Sequence, residues 1–302
     1  MPSKPQITVI GSSNTDMVIK TSWLPKPGET ILGGRFFMNP GGKGANQAVA
    51  AARLGGNVAF IARTGDDIFG QQARQNFEKE GIDVSWVLVD NKNPSGIALI
   101  NVDEKGENCI AVAPGANDKL SVDDLNNANE KITGSAIILL QLEIPLETVM
   151  QAVVTAKKAG CRVILNPAPA RELPEEIYQH LYLITPNETE AEILTGIAVT
   201  DEISAANAAK IFVSKGVSHV IITLGSRGAF YFNGTSGKMI PAQIVKAVDT
   251  TAAGDIFNGA LSVALAQDKD MEQAVVFANK AAAISVTRMG AQASAPYLFE
   301  VV

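Results

Sequence analysis

The sequence predicts an α/β fold in which a parallel sheet is covered by helices and carries a small β appendage. Three observations lead there. Short apolar runs alternate with helical patterns along most of the 302 residues, the rhythm of successive βαβ units. Two segments interrupt that rhythm and read as strands joined by turns bearing Gly or Pro. Apolar strands end repeatedly in Asn, Asp, Glu or Thr, which gathers polar groups along one edge of the sheet.

"ITVIG" opens the sheet, "ANQAVAAARLGG" is helical from near Ala45, "NVAFIART" returns as a strand, and "FGQQARQNFEKEG" places Phe69, Ala73 and Phe77 on one helical face. The second half repeats the pattern in "AIILLQLE", "LETVMQAVVTAKKAG", "RVILNPA", "LYLITPN", "EAEILTG", "ISAANAAKIFVSKG" and "HVIITLG". Two last helices open at Asp255 and at Met271. The interrupting segments are "DMVIKTSWLPKPGETILGGRFFM" and "SGIALINVDEKGENCIAVAPG", the second a hairpin about Glu104, Lys105 and Gly106. Without crossover helices they cannot enter a parallel sheet by short connections, so they form the appendage. It reads as a lid, an ornamental flap or a dimer contact, and its exposed strands favour pairing with a second copy. The expected boundaries are 1–13, 41–94 and 115–302 for the α/β unit and 14–40 and 95–114 for the lid.

A hydrophobic content of 46% supplies an ample core without a covalent staple. With 25 basic against 31 acidic residues the net charge is −6, which argues against a surface that holds nucleic acid by its phosphates and favours a small-molecule partner. Cys109 and Cys161 are too few for a disulfide framework and lack zinc-site spacing, which suits the reduced cytosol. The start "MPSKPQITVIGSSNTD" has too short an apolar run for a signal peptide, and no window approaches about 18 uninterrupted apolar residues. A soluble cytoplasmic protein without a membrane contact is expected. His180 and His219, both beside apolar runs, give a Ser-His-Asp or Cys-His site little to draw on.

The chemistry gathers where strands end. Asn14 and Asp16 follow "ITVIG", Glu143 ends "AIILLQLE", Asn166 ends "RVILN", Asn187 ends "LYLITPN" with Glu190 one turn on, and Thr223 ends "HVIIT". Each could be a cap or a turn residue alone; together they describe a shared cleft. Gly41, Gly42, Lys43 and Gly44 form a turn feeding a helix, but Walker A would need Ser or Thr after the Lys, and Gly44 stands there. No G-x-G-x-x-G follows the first strand, which weakens a dehydrogenase reading. Gly42, Lys43 and Asn46 offer donors suited to sugar hydroxyls, or an ordinary turn and cap. In "VDTTAAGDIFNGA", Asp255 follows Gly254 at a helix start, where unpaired N–H groups attract anions. Asp255 reads as a cap or as a base beside an anion gripped by the small run Thr250 to Gly254.

From "VIGSSNTD" through "GGKGANQAVAAARLG", "NPAPAREL", "TPNETEAEILTG" and "TLGSRG" to "VDTTAAGD", the chain resembles the ribokinase-like (pfkB) carbohydrate kinases over nearly its full length. The resemblance implies a three-layer α/β/α sandwich with a mostly parallel sheet and a β-sheet lid. It implies ATP-dependent phosphorylation of D-ribose at O5, with Asp255 as catalytic base and the backbone of Ala252, Ala253, Gly254 and Asp255 as anion hole. Ribose is placed against Asn14, Thr15, Asp16, Gly42, Lys43, Gly44, Ala45, Asn46 and Glu143. ATP is placed across Asn187, Thr223, Leu224, Gly225, Ser226, Arg227, Gly228, Gly254, Asp255 and Asn279. Mg2+ is expected among phosphates and waters near Asn187 and Glu190, and K+ at Asp249, Thr251, Ser285, Arg288, Gly290 and Ser294. A homodimer through the lid is expected. Ala252 departs from the family's Gly-Ala-Gly-Asp run and is tolerable there if its φ is negative. The rival readings are a kinase of 2-deoxyribose or fructose, a sugar-sensing protein without turnover and, most distantly, a dehydrogenase.

Overall fold

The computed structural model describes residues 5–302; residues 1–4, included in the expected α/β unit, lie outside the described residues. β1 (Gln6–Ile10) leads into β2 (Asn14–Lys20) and β3 (Arg35–Gly41), followed by α1 (Lys43–Arg53), β4 (Asn57–Gly65), α2 (Ile68–Lys79) and β5 (Asp83–Asp90). A hairpin of β6 (Gly96–Val102) and β7 (Asn108–Ala113) precedes the short helices α3 (Val122–Asn127) and α4 (Asn129–Thr133). The middle of the chain runs β8 (Ile137–Leu140), α5 (Leu146–Lys158), β9 (Arg162–Leu165), α6 (Glu175–Tyr178), β10 (Leu183–Ile184), α7 (Glu188–Thr195), α8 (Glu202–Ser214) and β11 (His219–Thr223). It closes with β12 (Ala229–Phe232), β13 (Gly237–Ile240), α9 (Ala253–Ala266), α10 (Met271–Ser285) and α11 (Leu298–Val301).

Nine strands form the central sheet in the order β13-β12-β11-β10-β9-β8-β1-β4-β5. Every neighbouring pair from β11 to β5 is parallel, while β12 and β13 add an antiparallel edge. Period-two alternation serves both faces. Ile137 and Leu139 join one core with residues of α1, α9 and α10; Ile138 and Leu140 join the other with residues of α5 and α8. This is the parallel sheet covered by helices that the βαβ rhythm predicts, in the three-layer form that the family resemblance implies. Three strand features depart from the sequence reading. β5 and the β12–β13 edge are additional to it, and "LYLITPN" forms only two residues of strand because Pro186 has no N–H to continue the ladder.

The remaining strands make a separate four-stranded sheet, β3-β2-β6-β7, in which only β2 and β6 run parallel. In register, Val18 pairs with Phe37 and Ile100, and Ile100 with Ile110, on one face. Ile19 pairs with Phe36 and Met17 with Met38 and Leu99 on the other.

Candidate active site

The carboxyl end of β1 meets the start of α1. Gly42 caps that helix at φ 88, and a Cβ there would lie 2.7 Å from the Asn14 nitrogen, so only Gly allows the loop to close on the strand end. Glu143, just beyond β8, accepts from the Ser12 hydroxyl at 2.5 Å and from the Lys43 N–H at 3.0 Å, a carboxylate seated on a helix N-terminus. The Lys43 N–H is thus used within the protein. Its side chain lines a cavity of about 180 Å³ together with Asn166, Thr185, Asn187, Glu190, Thr223, Thr250, Gly254 and Asp255.

Asp255, on the first turn of α9, is 6% exposed. Its Oδ1 accepts from Gln47 Nε2 and its Oδ2 from Asn46 Nδ2, both at 2.9 Å. Gln47 also donates to Asn166 Oδ1 at 3.0 Å and accepts from Gln141 Nε2 at 2.6 Å, so a chain of amides from α1 and two strand ends fixes the carboxylate's orientation. Gln47 was not foreseen; its place one residue after Asn46 in the opening turn of the helix was the available signal. The Asn46 Oδ1 is buried without a hydrogen-bond partner among the described residues.

Burial pushes the Asp255 carboxyl above its ordinary range, against the Lys43 ammonium and the two amide donors. Burial thus outweighs the Lys43 charge and the two amide donors that favour the ionised acid, which makes Asp255 a stronger base once it is charged. Lys43 is raised although burial opposes its charge, because Asp255, Glu143, Glu190 and Asp16 surround it. Burial, then Glu143 and Asp255, push Asp16 up to about 6, with Lys43 opposing. A folded value of about 6 above an ordinary 3.8 means that ionising Asp16 costs stability, a cost absent below the ordinary value and complete once pH passes the folded one. Asp16→Asn is therefore expected to gain about 1–2 kcal/mol relative to the native protein between pH 5 and 7.5. Thermal melts at the two pH values measure this, and an equal difference at both would contradict it.

A second cleft, of about 450 Å³, runs along Asn187, Thr223, Gly225, Ser226, Gly228, Gly254 and Asn279. Its apolar wall comes from residues that the sequence reading did not include, among them Ala242, Ile244, Val245, Phe257, Ala283 and Val286. Asn279 Nδ2 donates to the Ile240 and Pro241 carbonyls at 3.1 and 3.3 Å, which anchors the start of that loop. Leu224 is core, and Arg227 is engaged with Glu188 and the Thr200 carbonyl, both at 2.6 Å. A third cavity, of about 660 Å³, lies under the four-stranded sheet, lined by Asp16, Val18, Phe37, Asn39, Ile100, Ile110 and Thr251 among others. Thr250 lines all three spaces. Thr15, one residue from Asp16, takes the opposite face of β2, while Gly44 and Ala45 are buried at the helix start.

α9 begins at Ala253, two residues before the expected Asp255, and Ala252 has φ 59, not the negative value that the Gly-to-Ala departure required. The cause is a tight turn closed by the Ala253 N–H on the Thr250 carbonyl at 3.2 Å, whose third position takes positive φ. That bond occupies one of the four expected anion-hole donors. The N–H groups of Ala252, Gly254 and Asp255 have no acceptor among the described residues. A Cβ on Gly254 would meet nothing within 4 Å, so its face looks onto open cleft.

Asp249 accepts from the Thr251 N–H at 2.9 Å and the Gly290 N–H at 2.8 Å, which draws the two expected cation segments together. The carbonyls of Thr251, Arg288, Gly290 and Ser294 receive no donor among the described residues, whereas that of Ser285 accepts from the Arg288 N–H. The Arg288 side chain pairs with Glu300. Asn187 and Glu190 bond reciprocally as a capping box on α7, at 2.9 and 2.8 Å.

The profile of the pfkB family carbohydrate kinases matches residues 4–298. A ribokinase of Haemophilus influenzae is 47% identical over 290 residues, covering 96% of this chain and 95% of that protein. A deoxyribokinase of Salmonella typhi is 42% identical over 291 residues, with 96% and 95% covered. The structure of an Arabidopsis thaliana ribokinase complexed with ribose and ATP superposes with a TM-score of 0.92 at 32% identity, covering 99% of this chain and 98% of that one.

Proposed function

The chain belongs to the pfkB family of carbohydrate kinases, and from that premise we propose that it is a ribokinase, transferring the terminal phosphoryl group of ATP to O5 of D-ribose. One observation carries the reading: the buried Asp255 carboxylate lines a cavity whose walls at Thr250, Ala253 and Gly254 are also walls of the long apolar-sided cleft. The acid and the three residues whose N–H groups lack an acceptor among the described residues, Ala252, Gly254 and Asp255, line a cavity that adjoins the long cleft at Gly254. That is the geometry an in-line transfer between two bound substrates requires.

ATP occupies the cleft from Asn187 past Thr223, Gly225, Ser226 and Gly228 to Asn279. Ribose lies beneath the lid sheet against Asn14, Asp16, Asn46 and Glu143. Asp255 accepts the O5 proton as the oxygen attacks phosphorus, while Asn46 and Gln47 hold its carboxylate in place. The N–H groups of Ala252, Gly254 and Asp255 meet the charge that spreads over the phosphoryl oxygens. Lys43, which lines the same cavity as Asp255, offsets the negative charge of Asp255, Glu143, Glu190 and Asp16.

Glu190 and Asn187 suit a Mg2+ held chiefly by phosphates and water, which would neutralise phosphate charge; no cluster of three acidic, His or Cys ligands occurs among the described residues. The donor-free carbonyls of Thr251, Arg288, Gly290 and Ser294 around the Asp249 bridge fit a K+ ion, which would brace the turn leading to Ala252. Asp249, Thr251, Ser285, Arg288, Gly290 and Ser294 are its proposed site. A coupled ADP-release assay with ribose, ATP and magnesium, run in potassium and then in choline, tests both readings. No sugar-dependent ADP release would reject the kinase, and equal rates in the two salts would reject the cation site.

The 42% identical deoxyribokinase keeps 2-deoxyribose as the alternative sugar, and the amide at Asn14 favours ribose by offering a partner to the 2-hydroxyl. The outer lid face, with Ile19 at 41%, Phe36 at 59% and Leu99 at 49% exposure, supports a homodimer through the lid. Phe36→Glu should then shift sedimentation toward the monomer mass, and an unchanged profile would argue for another interface. No helix among the described residues is long and apolar enough to cross a membrane. Two unpaired cysteines, one exposed and one buried, support a cytoplasmic location.

A further inference from the structure

Asn117 lies outside every group assigned so far. It belongs to the 3-10 turn Gly115–Lys119 after β7 and is 2% exposed. Its Oδ1 accepts from the Ser13 N–H at 2.9 Å. Its Nδ2 donates to the Ser13 carbonyl at 3.1 Å and to Asn14 Oδ1 at 2.8 Å.

These bonds transmit a polarity. A backbone N–H can only donate and a carbonyl can only accept, so Ser13 decides which end of the Asn117 amide is oxygen. The Asn117 amino group can in turn only donate, so the Asn14 atom facing it is oxygen and the Asn14 amino group is turned away. That amino group donates to no described residue and is not sealed from solvent. The pair is tightly housed, since a Cβ on Gly96 would lie 2.2 Å from both the Asn117 Nδ2 and the Asn14 Oδ1.

We infer that Asn117 is a positioning residue for sugar selection, locking the Asn14 amide with its amino group toward the substrate. The inference rests on the proposed sugar-binding role of Asn14. Asn14 and Asp16 stand two apart on β2 and so share a face. An ionised Asp16 only accepts, so a hydroxyl that donates to it can be bound at its oxygen only if Asn14 donates. A reversed Asn14 amide would set two acceptors against one hydroxyl and lose that match.

The test measures kcat/KM for ribose and for 2-deoxyribose in the native protein, in Asn14→Leu, in Asn117→Ala and in the double variant, with thermal melts and KM for ATP alongside. Asn117→Ala should lower the ribose-to-deoxyribose ratio about tenfold, the worth of one hydrogen bond, chiefly through KM for ribose and with KM for ATP unchanged. In the Asn14→Leu background the same change should add nothing, because the group it orients is gone. Asn117→Asp, which cannot donate to Asn14 Oδ1, should lower the ratio at least as far, and it decides the matter should the Ala variant not fold. An altered ratio in Asn14→Leu with an unchanged ratio in the Asn117 variants overturns the inference alone, as does an equal fall in both backgrounds. An unchanged ratio in Asn14→Leu overturns the sugar role of Asn14, and the inference with it.

Discussion

Asp255→Ala is expected to lower kcat by about 10²–10⁴, the range in which a positioned general base contributes, while leaving nucleotide affinity close to native. The side chain that would accept the O5 proton is removed, but the cleft along Asn187, Gly225 and Asn279 is not touched. The fold should tolerate the change. Asn46 and Gln47 each lose one acceptor, and in exchange a buried carboxylate whose ionisation burial opposes is gone. Steady-state kinetics paired with nucleotide titration calorimetry separates the two quantities. A variant with near-native kcat would remove Asp255 from the mechanism.

Gly259→Val is expected to cost about 3–5 kcal/mol of stability. Gly259 sits on α9 where it crosses α1, and a Cβ there would lie 2.7 Å from both the Ala50 Cβ and the Gln47 carbonyl. Neither atom is the far end of a flexible chain, so the helices must part. The same two helices carry Asp255 on one side and Asn46 with Gln47 on the other, so turnover should fall along with the melting temperature. Thermal denaturation of Gly259→Val against Gly259→Ala gives the gradient, with the smaller side chain expected to cost about 1–2 kcal/mol after its better helix propensity is counted. A Val variant that melts with the native protein would show that the crossing has room.

Some of the architecture was open to reading because it is local. Apolar runs such as Ile137–Leu140 and Arg162–Leu165 announce buried strands by composition alone, and the small residues from Thr250 to Gly254 announce a tight turn before a helix. Edge elements were harder. β12 and β13 have four residues each, and their hydrophobic signal is too brief to mark an antiparallel return. Residues of the apolar cleft wall escaped because the loop after β13 and helix α9 are separate in the chain, and only the fold brings Ile244 and Phe257 to one cleft.

What the sequence determined by itself was the alternation of strands and helices, the polar residues at the strand ends, and the presence of an acid behind a small-residue turn. These follow from side-chain periodicity and backbone preference over a few residues. The tertiary structure alone decided which amides meet Asp255, that Ala252 bends into positive φ, and that Asn117 orients Asn14. The Gln47 bond to Asp255 spans 208 residues and the Asn117 bond to Asn14 spans 103. Partners so far apart are chosen by sheet order and helix crossing, and no local pattern of residues encodes that choice.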